Sequence, residues 1–293
     1  MEHKMRKALV VLGLLSVMTT ATADSYTGIE TTVFVDEFSQ FYRADIIAYG
    51  KENSSGYLVL GGITAVESFD GNGTFDGGGF IGVEKYYNEH ARLRSRLYYY
   101  EDNGLLGQAT LFGKTFVNNV AYYGQCQKQV IDNTWGITTG TTYVGCDGSL
   151  EWTLGDFGLV AGAYRFDFSD DNQREGNYFK GFYDFDENFR LSLNYRDDGF
   201  ALDSDEYFSP DDWEQTYAMV HWKEEILEGF TNHLGVGYGE ERIDGFTRNP
   251  VYLEYKVFWD TGPHSLFGEI KGRMSSDYKF IWSTVGYRYR WSS

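Results

Sequence analysis

Proline is almost missing from this chain, with 3 in 293 residues, and cysteine and histidine are scarce at 2 and 5. Two cysteines cannot make a disulfide scaffold, and no second Cys or His pair stands at the spacing a zinc site requires, so no metal site is expected. No run of about 20 apolar residues occurs and 23% of the chain is charged, which excludes a bundle of membrane-spanning helices. Basic residues are outnumbered, 25 Lys and Arg against 43 Asp and Glu, for a formal charge of -18. Phosphate backbones demand a basic patch, so nucleic acid is excluded as a partner. Disorder is excluded as well, because aromatics make up 18% of the chain and disordered chains are poor in them. What is abundant is glycine (35), tyrosine (24) and phenylalanine (22), the composition of strands joined by turns.

Residues 1–23 read MEHKMRKALVVLGLLSVMTTATA. Lys4, Arg6 and Lys7 form a positive start, Ala8 to Met18 an apolar stretch too short to span a bilayer, and Ala21-Thr22-Ala23 a small-x-small cleavage site. This is the pattern of a secretory signal peptide, leaving 24–293 as a single domain. Its removal takes the charge from -18 to -20, because Lys4, Arg6 and Lys7 leave with only Glu2. An exported chain meets an oxidising compartment, where the pair Cys126 and Cys146 is expected to form a disulfide.

Beyond Asp24 no helical periodicity appears. Segments of about ten residues alternate in polarity and are interrupted by Gly, Asn, Asp and Ser, which is the signature of transmembrane β-strands. The clearest are Phe280 to Trp291, Ser265 to Arg273, Val251 to Trp259 and His233 to Glu240. Continuing to Tyr26 gives sixteen, with fourteen as the alternative count. The expected fold is all-β: a transmembrane antiparallel up-and-down β-barrel. With Trp291 at the periplasmic side, short and long connections alternate as barrels require. Two exceptions are Glu101 to Gly104, short on the outer side, and Glu224 to Asn232, long on the inner side.

In the last segment Ile281, Val285, Tyr287, Tyr289 and Trp291 share one face and Thr284, Gly286, Arg288 and Arg290 the other. The apolar set would meet lipid and the polar set the lumen. The run Thr-Val-Gly-Tyr-Arg-Tyr-Arg-Trp at 284–291 resembles the terminal β-signal of bacterial outer-membrane proteins, with Gly286, Tyr289 and Trp291 as its signature positions. The resemblance implies an outer-membrane location, contact with lipid and lipopolysaccharide, and insertion by the β-barrel assembly machinery.

The same alternation places Tyr252, Glu254, Lys256 and Phe258 inward, opposite Val251, Leu253, Tyr255, Val257 and Trp259. It also turns Arg92, Arg94, Arg96 and Tyr98 inward, with Lys271, Arg273, Arg288 and Arg290. These rows would set lumen selectivity for anions or sugars, with Tyr98 and Tyr100 as stacking platforms, or else form ion-pair ladders that stiffen the lumen. The stretch from Asp197 to Glu214 holds acids and no Lys or Arg; Asp203, Asp205, Glu206, Asp211 and Asp212 would make an acidic outer loop that attracts cations.

Tyr207-Phe208-Ser209-Pro210 in that loop, preceded by Asn194-Tyr195-Arg196 and followed by Tyr217 to Trp222, resembles an element of the C-terminal barrels of exopolysaccharide-export outer-membrane proteins, the poly-N-acetylglucosamine and cellulose exporters. The resemblance covers about half the chain. It implies a conduit for a polysaccharide or oligosaccharide, served by a periplasmic export partner. The alternatives are a general or anion-selective diffusion porin, a non-conducting adhesin or anchor, and an outer-membrane hydrolase. No cofactor is expected, and no enzyme, because His90, His221, His233 and His264 lack a recognisable catalytic partner in sequence.

Overall fold

The computed structural model describes residues 26–35, 40–49, 57–68, 75–88, 91–115, 119–131, 139–204, 209–276 and 279–290. Their strands are β1 (Tyr26–Val35), β2 (Gln40–Tyr49), β3 (Tyr57–Ser68), β4 (Phe75–Asn88), β5 (Ala91–Tyr100), β6 (Gly104–Thr115), β7 (Val120–Val130), β8 (Thr142–Leu154), β9 (Phe157–Phe168), β10 (Gln173–Asp184), β11 (Phe189–Phe200), β12 (Trp213–Leu227), β13 (Phe230–Ile243), β14 (Phe246–Arg248), β15 (Val251–Asp260), β16 (His264–Met274) and β17 (Lys279–Arg290). Each long strand pairs antiparallel with its neighbours in the chain. Because β1 pairs with both β2 and β17, the sheet closes on itself and no edge remains. The three-residue β14 only folds back on the end of β13. Sixteen strands therefore form the wall, as the sequence predicts, and not fourteen.

An even strand number returns the chain to its starting rim: Tyr26 pairs with Arg290. At this near rim the fully described connections are tight. The expected long connection from Glu224 to Asn232 does not exist, because Glu224 pairs with Asn232 and Glu225 with Thr231, so both strands run on to a two-residue turn. Gly229 permits that turn: its φ is +74°, and a Cβ there would lie 2.2 Å from the Asp260 carbonyl oxygen. Glu101 to Asn103 remains a short connection at the far rim, as expected.

Period-two alternation sorts the wall into two faces. In β11, Leu193 is 60% exposed and its neighbour Ser192 only 1%. A sheet closed around this pattern presents apolar side chains outward, the arrangement of a barrel in lipid and the reverse of a water-soluble one. Outward aromatics gather at the near rim, among them Tyr87, Trp152, Phe157, Tyr183, Phe189 and Tyr287, with Tyr99 and Tyr238 toward the other end. That is how aromatic girdles flank an apolar band. Phe258 departs from the expected burial at 52% exposure. It shares the inner face with its partner Phe267 but stands near the rim, where the lumen opens.

The core lies inside the barrel on one side. Ile47, Leu58, Leu60, Val66, Phe80, Tyr98, Tyr100 and Leu106 form a buried cluster on the inner faces of β2 to β6, joined by Val130 at the end of β7. Tyr98 stacks on Tyr100 with centroids 6.3 Å apart, and the Tyr100 hydroxyl lies 3.0 Å from Thr64 Oγ1. The expectation that these two tyrosines offer stacking platforms is corrected here, because their faces are already used in packing. Glu84, 1% exposed, receives Arg92 and Arg94, each at 3.1 Å. Arg96 donates to the Tyr98 hydroxyl at 3.3 Å and approaches Asp45 at 4.0 Å.

Cys126 and Cys146 stand directly opposite each other on β7 and β8 and are bonded. Both are exposed on the outer face, and the bridge ties off the connection at 131–141.

Two predictions follow from these contacts. Glu84→Ala leaves two arginines facing a buried apolar gap. Their side chains are 39% and 23% exposed, so water recovers part of the loss and the cost should be roughly 2–3 kcal/mol, below that of a fully enclosed pair. Arg92→Gln should cost under about 1 kcal/mol. Urea unfolding of the vesicle-inserted barrel checks both, and equal small shifts would mean that Glu84 does not anchor the row. Separately, the Cys126→Ser/Cys146→Ser double variant opens a loop of sequence separation 20 and should unfold about 3 kcal/mol more easily in the same assay.

Candidate functional site in the barrel lumen

The opposite side of the inner wall, β8 to β13, is built differently. Inward glycines sit beneath neighbouring aromatic rings: Phe166 at Gly145, Phe182 at Gly158, Tyr178 at Gly162, and the hydroxyl end of Tyr164 with Asp198 at Gly176. A Cβ on Gly162 would lie 2.2 Å from the Tyr178 ring, so each glycine is what lets the neighbouring ring rest against the backbone. Rings held flat leave the centre free, and a cavity of about 490 Å³ lies against this wall.

Strand register arranges its lining in rungs. Lys180 on β10, Asn194 on β11 and Tyr217 on β12 form one, and Tyr178, Arg196 and Gln215 the next toward the far rim. Beyond them come Gly176, Asp198 and Trp213. Arg174 and Arg196 converge on Asp198 at 2.7 and 2.6 Å, and the Tyr164 hydroxyl also donates to Asp198. Farther round, Glu241 accepts from Trp213 Nε1 at 2.6 Å, Gln215 at 2.7 Å and Arg273 at 2.6 Å. Arg196 and Arg273 also lie over the Trp213 ring, at 5.0 and 4.9 Å.

Strand β13 contributes almost no side chains here. Gly235, Gly237 and Gly239 face inward in succession, so Tyr217 from β12 and Tyr252 from β15 meet across it. Their rings stack at 4.0 Å with an interplanar angle of 15°.

Toward the near rim the wall is a charged network. Lys256 bridges Glu254 at 2.6 Å and Glu269 at 3.0 Å, and Lys271 meets Glu269 at 3.0 Å while lying over Trp282. Ser192 Oγ lies 3.1 Å from His221 Nε2, and His221 Nδ1 lies 3.9 Å from Glu254. The order serine, histidine, glutamate imitates a hydrolase triad. Yet Ser192 is almost wholly enclosed, its oxygen also receives Asn194 at 3.1 Å, and the histidine–glutamate distance is too long for a hydrogen bond.

The residues singled out in sequence are thus divided. Arg92, Arg94 and Arg96 lie in the packed half and are held by acids, whereas Lys271 and Arg273 line the other half in ion pairs. Gly286 is covered by the Phe267 ring, and Tyr289 lies beside His264 with centroids 5.0 Å apart. The side chains of Arg288 and Arg290, and all of Trp291, lie outside the described residues, as do Asp205, Glu206, Tyr207 and Phe208. Asp203, Asp211 and Asp212 are exposed at the far rim, where the latter two border a second cavity of about 550 Å³ with Glu175 and Asp197. Glu175 and Asp197 point away from the lumen. Lys180 and Arg174 carry no motif, and only strand register brings them together with Asn194.

The sequence matches no known protein-family model and no curated protein. The fold does match solved structures. A bacterial polysaccharide outer membrane secretin superposes with a TM-score of 0.76 over 91% of this chain and 98% of its own, at 11% identity. OccD1 (OprD) superposes with a TM-score of 0.50 over 92% and 97%, at 10% identity. The chain has the fold of the outer-membrane β-barrels.

Proposed function

We propose that this barrel is an outer-membrane conduit for saccharide chains, without catalytic activity. The observation that carries the reading is the lumen cavity on the β8–β12 wall, where rings fixed flat over glycine alternate with hydrogen-bonding side chains. Sugars present apolar faces edged by hydroxyls, and this lining offers a counterpart to both. Its one-sided placement, with the other half of the lumen packed, suits an extended chain passing lengthwise. The likeness in shape to a polysaccharide secretin supports the same direction, as do the Tyr207–Pro210 element and the terminal β-signal.

In this reading the chain is exported by the signal at 1–23 and inserted by the barrel assembly machinery, its far rim turned to the exterior. Lipopolysaccharide surrounds it, and a periplasmic partner delivers the polymer. Selectivity comes from fixed side chains, and movement is passive.

Planar-bilayer recording tests the proposal. The mature protein should give steady ohmic single-channel currents, and neutral or charged oligosaccharides added to one side should interrupt them. An inserted barrel that passes no current, or currents that no saccharide affects, would overturn it.

A further inference from the structure

The saccharide reading leaves the charge of the ligand open, and the lumen wall carries information on it. Three cations line the 490 Å³ cavity, Arg174, Lys180 and Arg196, against one carboxylate, Asp147. Asp198, just beyond, is shared by the two arginines. Lys180 has neither an ion pair nor a hydrogen bond among the described residues. Arg174 Nε is likewise buried with no acceptor. Charged donors inside a protein are ordinarily paired, since withdrawing them from water is costly. Lys180 thus brings to the cavity wall a cation with no ion pair among the described residues, and Arg174, six residues away on the same strand, lines its far end.

The acids that dominate the net charge do not cancel it. On β10 and β11 the alternation turns Arg174, Lys180, Arg196 and Asp198 inward and leaves Glu175 and Asp197 on the outer face. Exposed charges at the rim are screened beyond about 8 Å at physiological salt. The field inside the cavity is therefore set by its own lining together with the inward charges Arg190, Lys256, Glu254 and Glu151 toward the near rim, two of each sign.

From these observations we infer that the cavity is a binding site for an acidic saccharide, a sugar chain bearing carboxylates such as a uronate oligomer. This rests on the saccharide-conduit reading and deepens it. Lys180 supplies a charge with no ion pair among the described residues, and Arg174 and Arg196 add cations that share Asp198. Tyr178 and Tyr217, on adjoining rungs, hold the apolar face of the ring. The acidic outer loop was expected to attract cations; the lumen wall favours a ligand of the opposite sign.

The test compares three trisaccharides on single-channel currents of the full mature chain: trimannuronate, maltotriose and the chitosan trimer. Trimannuronate should block at the lowest concentration. Lys180→Gln should raise its half-blocking concentration about tenfold, the loss expected for one charge-assisted hydrogen bond, while Lys180→Arg retains most of the block. Maltotriose block should weaken much less than trimannuronate block in Lys180→Gln, and an equal weakening of both would overturn the acidic-ligand inference. Equal or stronger block by the chitosan trimer, or trimannuronate block unchanged in Lys180→Gln, would overturn the acidic-ligand inference and leave the saccharide conduit standing. Absence of block by all three would instead overturn the conduit. Calorimetric titration of trimannuronate into the detergent-folded protein gives a second readout: binding that Lys180→Gln weakens supports the site, and no binding to wild type refutes it.

Discussion

Closure of the sheet is the constraint on which everything else rests. Once β1 pairs with both β2 and β17, each strand has two hydrogen-bonded neighbours and only two faces left to assign. Every backbone donor and acceptor in the wall can then be satisfied within the sheet, the condition for crossing a bilayer with strands. One face must be apolar, so charged residues of the membrane-crossing stretches gather in the lumen, and Glu175 and Asp197 face outward only toward the far rim. In the lumen, charges need partners. The ion pairs of Glu84, Asp198, Glu241, Glu254 and Glu269 follow from that necessity, not from any general tendency of salt bridges to stabilise.

The two halves of the wall solve the interior problem differently. From β2 to β7, branched and aromatic side chains meet and exclude water, so the arginines there serve a packed core. From β8 to β13, glycines take the positions where side chains would collide, and rings lie down over them. The first solution gives rigidity and the second gives space. A conduit needs both, because a lumen lined only by long side chains would close and one lined only by glycine would select nothing.

Much of the fold was legible in sequence because alternation and turn residues are local signals. The sixteen strands, both rims and the Cys126–Cys146 pairing could be read that way. The β12–β13 turn was not, since Glu224, Glu225 and Glu228 look like a solvated loop, whereas Glu224 and Glu225 lie in strand extensions near the rim. Of the two readings offered for the arginine row of the packed half, a selective track or a ladder of ion pairs, the contacts match the second. Glu84 neutralises Arg92 and Arg94 from the adjacent strand, and Tyr98 and Tyr100 consume each other's faces; neither is visible until register is known. The glycines at 235, 237 and 239 were a usable signal, as period-two glycine marks one bare face of a strand. Lys180 could not be singled out, because its isolation is a property of what surrounds it in space.

The claim that alternation divides an acidic chain into an apolar exterior and a charged interior can be tested along one strand. A nitroxide scan of β11, residues 189–200, in lipid vesicles would use single cysteines with Cys126 and Cys146 replaced. The account predicts oxygen accessibility peaking at Leu191 and Leu193 and access to a water-soluble nickel complex peaking at Asn194 and Arg196. A scan without that period of two, or with the two reagents exchanged, would contradict it.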